Sequence, residues 1–305
     1  MTPFAPNTEG IWFNLPAKDY HAAPGFSQSQ AKHLNPPARW LQYRDKGPVD
    51  TEFTRMGSLV HQRLLEPSAP LPGFAVIPEK YPCPADSSLV KTKKAAPGDL
   101  VNWSWSAKYC QQWRTEQEAA GLEVIEAEEL ERLVQIIQAV AGNEDAASLI
   151  RGARTEVSCF WHVETAFGPV LCKTRQDVVM PPDHAAIVDA KVVQKFKADT
   201  EEFSRLILER GYHIQSAANL EGWNHFNPDD QKEMFVFVAV EREQPMPQFV
   251  NCVSVPEDVL RKGREEWRQA VETFARCQHE QRWPGYGNGI KPMILNNWDK
   301  RKFGI

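Results

Sequence analysis

The stretch Cys172–Lys191, which reads CKTRQDVVMPPDHAAIVDAK, is the part of the sequence that best indicates the fold. Two apolar runs rich in β-branched residues, 170–180 and 185–193, flank the turn-forming sequence PPDH at 181–184. Such runs joined by a short turn are typical of two paired strands. The sequence therefore predicts a β-hairpin.

Two acids and a lysine lie at notable positions within this largely apolar hairpin. Asp177 is in its first strand, and Asp189 and Lys191 are in its second. Folding the chain about the turn brings Asp177 roughly opposite Val188 and Asp189. Because side chains alternate along a strand, Asp189 and Lys191 share one face. The sequence predicts a cluster of two acids and one ammonium group.

This charge cluster suits one kind of chemistry. Two neighbouring carboxylates repel each other, and a divalent cation between them relieves the repulsion. Oxygen ligands favour Mg²⁺ or Mn²⁺, and a nearby lysine can orient water or stabilise charge on a phosphoryl group. The pattern indicates metal-assisted phosphodiester hydrolysis. The alternative is an exposed hairpin whose Asp and Lys form an ordinary solvated ion pair.

Further motifs lie on both sides of the hairpin. They are Tyr20-His21, FSQSQAKHLNPPARW at 26–40, MGSLVHQRLLEP at 56–67, Glu156, GYHIQSA at 211–217 and WPGY at 283–286. In this order, and with the hairpin, they resemble the PD-(D/E)xK nuclease superfamily and, within it, the exonuclease VIII (RecE-like) family of phage and prophage exodeoxyribonucleases. The resemblance implies an α/β fold, with a restriction-endonuclease-like core of a central mixed β-sheet flanked by helices.

The resemblance also implies roles for the hairpin residues. Asp177 and Asp189 would bind the metal ion, with the Ala190 carbonyl as a further ligand. Lys191 would be the catalytic lysine. His61, at the end of the Gly-x-x-x-His pattern, would be an additional metal ligand.

Two of the predicted metal ligands have alternative interpretations. Gly57 and His61 are four residues apart and share one helix face, where the glycine would allow a close approach. A lone histidine can instead be a satisfied interior residue. Glu156 lies in the strand-like segment EVSCFWHV, where related nucleases keep an acid, and its alternative role is a partner for Arg154 or Arg175.

A helix after the hairpin matches the family's Tyr-x-x-Gln pattern. Tyr212 and Gln215 would lie beside the active site, with Gln215 among the catalytic residues and Tyr212 touching DNA. The chain departs from the pattern at Asn219, where relatives often have an aromatic residue. This difference puts the detailed DNA contacts in doubt, not the fold.

Other candidate DNA-binding residues lie near the N-terminal end of the motif series and directly after the hairpin. Ser27, Ser29 and Arg39 correspond to a segment near the 5′ phosphate in related exonucleases, and hydroxyl and guanidinium groups suit phosphate oxygens. Ser27 also fits the N-cap of a helix. Lys195 and Lys197 follow the catalytic strand and would line the site entrance, or else belong to a solvated face.

Composition agrees with a single folded domain. The chain has 305 residues, 42% of them hydrophobic, and a net charge of −5. DNA binding would therefore depend on a local groove rather than on overall charge. Six dispersed cysteines without C-x-x-C spacing do not favour a zinc or disulfide framework. The sequence lacks a bilayer-spanning apolar run and a signal-peptide pattern, which predicts a cytoplasmic protein.

Domain organisation is predicted as an N-terminal extension at 1–19, one nuclease domain at 20–285 and a C-terminal tail at 286–305. Residues 67–98 are rich in Pro, Ala and Lys and are predicted to form a long loop. Helices are predicted at 104–121 and 126–142, each closed by a glycine, and from Asp199 to about Glu221. Two further strands at 234–240 and 248–255 should extend the sheet.

The function predicted from the resemblance is a Mg²⁺-dependent deoxyribonuclease, with Mn²⁺ as a substitute. It would degrade linear double-stranded DNA from the 5′ end and leave a 3′ single strand for recombination. Implied partners are DNA ends, identical subunits in a ring and a single-strand annealing protein. Two alternatives are a DNA-binding protein that does not cleave and a structure-specific endonuclease.

Overall fold

A computed structural model describes residues 8–46, 52–65, 73–243, 249–295 and 297–304. Residues 1–7 of the predicted N-terminal extension and 67–72 of the predicted loop lie outside this range. The strands are β1 (Gly10–Trp12), β2 (Phe74–Val76), β3 (Lys80–Pro82), β4 (Leu100–Asn102), β5 (Glu123–Ile125), β6 (Arg154–Val163), β7 (Val170–Val179), β8 (Ala186–Val193), β9 (Met234–Glu241) and β10 (Val250–Ser254).

Helices occupy most of the chain between the strands. The helices are α1 (Ala17–Ala22), α2 (Gln28–Ala31), α3 (Ala38–Lys46), α4 (Glu52–Leu65), α5 (Ser88–Lys91), α6 (Lys108–Ala119), α7 (Ala127–Gly142), α8 (Glu144–Ile150), α9 (Thr200–Glu209), α10 (Tyr212–Phe226), α11 (Glu257–His279) and α12 (Asn297–Phe303).

A six-stranded mixed sheet forms the centre of the molecule, in the order β1-β6-β7-β8-β9-β10. Only β8 and β9 pair in parallel among these strands, because α9 and α10 form the crossover between them. Strands β2 with β5 and β3 with β4 form two small separate sheets. The predicted α/β fold with a central mixed sheet is confirmed.

Both faces of the central sheet are covered by helices. Alternation along the strands places Ile187 and Phe237 in the core shared with α10 and α11, and their neighbours Val188 and Val238 in the core shared with α4 and α7. A strand buried on both faces is expected to be almost continuously apolar. The charged residues of β7 and β8 are therefore exceptions that require partners.

Two glycines let α10 pack closely between the sheet and α11. A Cβ atom at Gly222 would lie 2.8 Å from the Trp161 ring, and one at Gly263 would lie 2.2 Å from the backbone carbonyl oxygen of His213. Neither position has room for a larger side chain. This close packing fixes the first turn of α10, which carries Tyr212 and Gln215.

The segment predicted as one helix from Asp199 forms two helices. Asp199 caps α9 by accepting hydrogen bonds from the Glu201 and Glu202 N–H groups. Gly211, with φ of +67°, then turns the chain into α10. A left-handed backbone at glycine ends one helix and allows the next to begin in a new direction. The predicted glycine ending of α7 is also wrong, because Gly142 is helical and Asn143 ends the helix.

The segment predicted as a long loop contains regular structure. Strands β2 and β3 and helix α5 lie within its described part, residues 73–98. Each has only three or four residues, so no periodic pattern was available for their detection. Strand β2 pairs with β5 and strand β3 pairs with β4, and both partners come later in the chain.

The WPGY motif docks against the N-terminal half of the molecule. Trp283 stacks on Trp40 with ring centroids 4.3 Å apart, and the Ala38 N–H donates to the Pro284 carbonyl at 3.1 Å. Beyond this contact, Ile290, Met293 and Ile294 are highly exposed. No helix among the described residues is long and apolar enough to cross a membrane.

Candidate active site

Asp177 and Asp189 meet where β7 and β8 separate. The two strands pair at Val178 with Val188 and at Val179 with Ile187, and beyond these pairs β8 continues beside β9 alone. At the separation, the Ala190 N–H donates to Asp177 Oδ2 at 3.0 Å. The Asp177 carboxylate thus accepts the hydrogen bond that a backbone carbonyl of β7 would accept if the ladder continued. The gap between β7 and β8 holds this buried acid.

Asp189 is held from two sides. Gln215 on α10 donates its side-chain N–H to Asp189 Oδ1, and the Lys191 ammonium forms an ion pair with Asp189 Oδ2. The Lys191 Nζ also lies 5.0 Å from the centroid of the Tyr212 ring. With the Ala190 contact to Asp177, these contacts bring together the four predicted catalytic residues. They are Asp177, Asp189, Lys191 and Gln215. Asp189 and Lys191 share one face, as strand alternation predicted.

His61 reaches the same site from α4, on the opposite side of the sheet from α10. Its Nε2 lies 2.8 Å from the Ala190 carbonyl oxygen, and its Nδ1 lies 3.4 Å from Asp177 Oδ2. Since a carbonyl oxygen only accepts, Nε2 donates when these two atoms are hydrogen-bonded, and Nδ1 then faces the Asp177 carboxylate.

The proposed reason for Gly57 is not supported. A Cβ atom built at this position meets no other atom within 4 Å. Close approach of another protein segment therefore does not require a glycine here.

Glu156 on β6 lies directly opposite Asp177 on the neighbouring strand β7. The pairs Thr155 with Val178 and Val157 with Gln176 place it at that register, but its own backbone has φ of +54°. A left-handed conformation is unusual for a glutamate inside a strand, and such strain is concentrated at functional sites.

The Glu156 carboxylate has two kinds of neighbour. Arg175 on β7 donates to Glu156 Oε2 and to the Leu15 carbonyl at 2.5 Å. Ligand atoms of Glu156, His61 and Asp177 also lie within 4.8 Å of one another. The arginine pairing suggested by the sequence and the acidic contribution to the site are therefore both present.

Burial and charge shift the proton equilibria in this cluster. Burial and the Asp189 carboxylate raise the pKa of Asp177 well above its ordinary value. Burial and the Asp177 carboxylate raise the pKa of Glu156. Burial lowers the pKa of Lys191, but the carboxylates of Asp189 and Asp177 outweigh it and the pKa is raised overall. The site is a dense group of acids with too few cations to satisfy it.

This donor set fits a divalent metal ion. Carboxylate oxygens from Asp177 and Glu156 and an imidazole nitrogen from His61 converge within 4.8 Å of one another. Asp189 and the Ala190 carbonyl lie next to this group through their contacts with Lys191, Asp177 and His61. Oxygen-rich sites with one imidazole suit hard divalent cations such as Mg²⁺ and Mn²⁺.

The predicted N-terminal phosphate contacts have other partners in this structure. The Ser27 and Ser29 hydroxyls hydrogen-bond each other at 2.8 Å. Ser27 occupies the N-cap position of α2, but its side chain makes no capping hydrogen bond. Arg39 donates to the Tyr286 hydroxyl at 2.6 Å, so the arginine joins α3 to the WPGY motif.

The two lysines after the catalytic strand lie beside acids. Lys197 forms an ion pair with Glu202 at 2.6 Å. Lys195 lines a cavity of about 400 Å³ together with Glu128, Glu131 and Glu241. The charge of Lys197 is matched by a carboxylate and Lys195 shares its cavity with three glutamates, which weakens the sequence argument for DNA binding.

Sequence reasoning missed Lys32. The residue follows α2, and its Nζ lies 5.2 Å from the centroid of the Tyr212 ring, which Lys191 also approaches. The segment 26–40 predicts phosphate contacts at Ser27, Ser29 and Arg39, and a single lysine after a short helix carries no distinguishing pattern.

A protein family matches most of the chain. Residues 27–294 match the family described as a PDDEXK-like domain of unknown function (DUF3799). The chain belongs to this family. The resemblance to PD-(D/E)xK nucleases inferred from the motifs is thereby confirmed, since the match includes all the residues of the site described above.

A solved structure shows the same fold. A protein from Eubacterium rectale, described as a candidate exonuclease, aligns with a TM-score of 0.55 and 14% identity over 93% of this chain and 97% of its own. A phage-related exonuclease from Haemophilus somnus 129PT aligns with a TM-score of 0.32 and 16% identity over 65% of this chain and 91% of its own. No curated protein matches the chain. Membership of the PDDEXK-like family supports a nuclease.

Proposed function

We propose that this PDDEXK-like protein is a Mg²⁺-dependent exodeoxyribonuclease that degrades linear double-stranded DNA from the 5′ end. The observation that carries the proposal is the meeting of Asp177, Asp189 and Lys191 where β7 and β8 separate. Two acids and a lysine at such a gap can bind a divalent cation and act on the phosphate that it contacts.

The side chains divide the work of the reaction. Asp177, Glu156 and His61 would hold the Mg²⁺ ion, with Asp189 and the Ala190 carbonyl beside them. When bound, the ion polarises the scissile phosphate and favours ionisation of the attacking water.

The remaining residues position and charge-balance the reacting groups. Lys191 keeps its proton beside Asp189 and supplies positive charge where negative charge develops on the phosphate. Gln215 fixes the orientation of the Asp189 carboxylate, and Tyr212 limits the movement of the Lys191 ammonium.

A digestion experiment tests the activity, its polarity and its metal requirement together. A linear duplex carrying a label on one 5′ end is incubated with the protein in Mg²⁺, Mn²⁺ or EDTA. We expect early release of the 5′ label in Mg²⁺, support by Mn²⁺, and none in EDTA. Covalently closed circular duplex should remain intact, because an exonuclease requires an end.

Three results would contradict this proposal in different ways. Early release of a 3′ label would reverse the polarity. Cleavage of closed circles or of branched DNA would favour a structure-specific endonuclease. Binding of duplex without cleavage in either metal would favour a protein that keeps the nuclease fold for binding alone.

Replacing Glu156 by glutamine should weaken metal binding. The substitution keeps the shape of the side chain but removes the charge that faces Asp177 across the sheet. We expect about tenfold more Mg²⁺ to be needed for half-maximal thermal stabilisation of the protein, without DNA present.

Glu129→Gln is the matched control, because Glu129 is also buried and pairs with an arginine, Arg55, at 3.1 Å. This control should change stability but leave the Mg²⁺ requirement unchanged. An unchanged requirement in Glu156→Gln would mean that Glu156 serves only as the partner of Arg175.

The assembly proposed with this activity is a closed ring of identical subunits around DNA. A single-strand annealing protein would then use the 3′ strand. Both would act in the cytoplasm. The exposed apolar side chains of the C-terminal tail support a contact between subunits. Light scattering after size-exclusion chromatography should give one defined species larger than a monomer. A monomer at all concentrations would contradict the ring.

A further inference from the structure

A basic surface lies beside the proposed catalytic lysine. Lys32, after α2, and Arg210, after α9, come together near the start of α10. We name this surface the Lys32–Arg210 patch. Lys32 lies within the motif at 26–40 and Arg210 directly precedes the motif at 211–217, but neither is among the residues to which the resemblance gives a role.

Distances to one aromatic ring locate Lys32. Its Nζ lies 5.2 Å from the Tyr212 ring centroid, and the Lys191 Nζ lies 5.0 Å from the same centroid. The two ammonium groups are thus separated by no more than the sum of these distances. Consecutive phosphates of one DNA strand are close enough for two such groups to contact neighbouring phosphates.

The backbone around Lys32 holds its side chain in place. A Cβ atom at Gly211 would be 3.5 Å from Lys32 Cε and 3.6 Å from Lys32 Cγ. The methylene groups of Lys32 therefore lie over Gly211, which joins α9 to α10, and its ammonium group lies near the Tyr212 ring. The residue remains accessible to solvent, as a contact with DNA requires.

Positive charge at this patch is not balanced by acids. In the described parts of the chain, neither Lys32 nor Arg210 has a carboxylate within ion-pair distance. Partial desolvation and then the charges of Lys191 and Arg210 lower the pKa of Lys32 to about 8, with Asp189 opposing them. Lys191 differs, because Asp189 neutralises it. The patch carries positive charge that an anion would stabilise.

We infer that the Lys32–Arg210 patch binds a phosphate of the cleaved DNA strand next to the scissile phosphate. The inference rests on the proposed nuclease function and adds to it. The patch holds the strand in register while Lys191 acts on the neighbouring phosphodiester. Both ammonium groups lie near the Tyr212 ring, and each contacts its own phosphate.

Salt-dependent binding tests the patch without requiring cleavage. Duplex affinity is measured in Ca²⁺ at several KCl concentrations for the wild type, Lys32→Ala and Arg210→Ala. Loss of one phosphate contact should reduce the slope of log affinity against log salt by about 0.9 and weaken binding severalfold at low salt.

Lys262→Ala is the charge-matched control. Lys262 is exposed on α11 and lies 3.7 Å and 3.5 Å from carboxylate oxygens of Glu265 and Glu266. The control should retain the wild-type slope. A slope in Lys32→Ala that equals that of the control would overturn the inference, and thermal unfolding of each variant checks that the fold is intact.

A chemical substitution then assigns the phosphate. Duplexes with a neutral methylphosphonate at single positions on either side of the cleavage site are compared for KM and kcat. In the wild type, KM should rise severalfold at one neighbouring position, whereas Lys32→Ala should show no further rise there. An equal rise in both proteins would mean that Lys32 does not contact that phosphate and would overturn the assignment.

The outcomes separate the two proposals. A wild-type protein that cleaves DNA while Lys32→Ala and Arg210→Ala keep its salt slope and KM would leave the nuclease proposal intact and remove the patch. A wild-type protein that cleaves no DNA in Mg²⁺ or Mn²⁺ would remove the nuclease proposal, and the salt slopes would still report whether the patch binds phosphate.

Discussion

Lys191→Ala should reduce the rate of DNA cleavage about 10³-fold at saturating Mg²⁺ and DNA. Lys191 is the cation of the site, paired with Asp189 and close to Asp177. Without the ammonium group, negative charge on the reacting phosphate meets two carboxylates with less compensation. The loss should therefore appear in kcat, with a smaller change in KM.

Two further variants distinguish chemistry from folding. Lys191→Arg keeps the charge, but a planar guanidinium cannot occupy the same position, so we expect little recovery of activity. Lys173 is a buried lysine on β7 that donates to the carbonyl groups of Tyr20, at 2.9 Å, and of Ala23, at 2.6 Å. Lys173→Ala should lower thermal stability, since those carbonyl groups lose their partner.

The measurement is single-turnover cleavage of a labelled duplex, with thermal unfolding of the same sample in Mg²⁺. A Lys191→Ala protein that is folded and cleaves at near the wild-type rate would exclude the proposed role of the lysine. An unfolded Lys191→Ala protein would make Lys191→Met, which retains most of the side-chain volume, the deciding variant under the same criterion.

The hairpin and its charges could be predicted because the information is local. Turn residues, two β-branched runs and strand alternation together specify that Asp189 and Lys191 share a face. The site also uses His61, more than a hundred residues earlier, and nothing local in the sequence places it 2.8 Å from the Ala190 carbonyl. That residue came from the family resemblance.

Other features depend on backbone conformation or on distant packing. The left-handed φ of Glu156 has no sequence signature, because glutamate rarely adopts it. Lys32 approaches Lys191 only because α2 packs against α10. The Asp199 helix was predicted to be continuous because the residues around Gly211 favour helix on both sides, and one glycine changes the direction of the chain.

Gly263→Ala should destabilise the protein by about 3 kcal/mol, at the upper end of the effects of overpacking. The new methyl group would lie 2.2 Å from the His213 carbonyl oxygen and 2.8 Å from its carbonyl carbon, where no flexible side chain can move away. Helix α11 would have to separate from α10. An apparent Tm lower by roughly 6 °C is expected in thermal unfolding.

Gly57→Ala provides the contrast, because its methyl group would meet no atom within 4 Å. Alanine is the better helix former by up to about 1 kcal/mol, so the stability of this variant should be unchanged or raised. Equal stabilisation of both variants would mean that helix propensity, and not the contact between α10 and α11, controls the response.

The Gly263 substitution should also lower cleavage, because the displaced turn of α10 carries part of the site. His213, which the methyl group would push, lies between Tyr212 and Gln215, and Gln215 holds Asp189. We therefore expect kcat for DNA cleavage to fall at temperatures well below unfolding. If Gly263→Ala lost stability but kept full activity, the hydrogen bond from Gln215 would not contribute to the reaction, and Asp189 would be positioned by Lys191 alone.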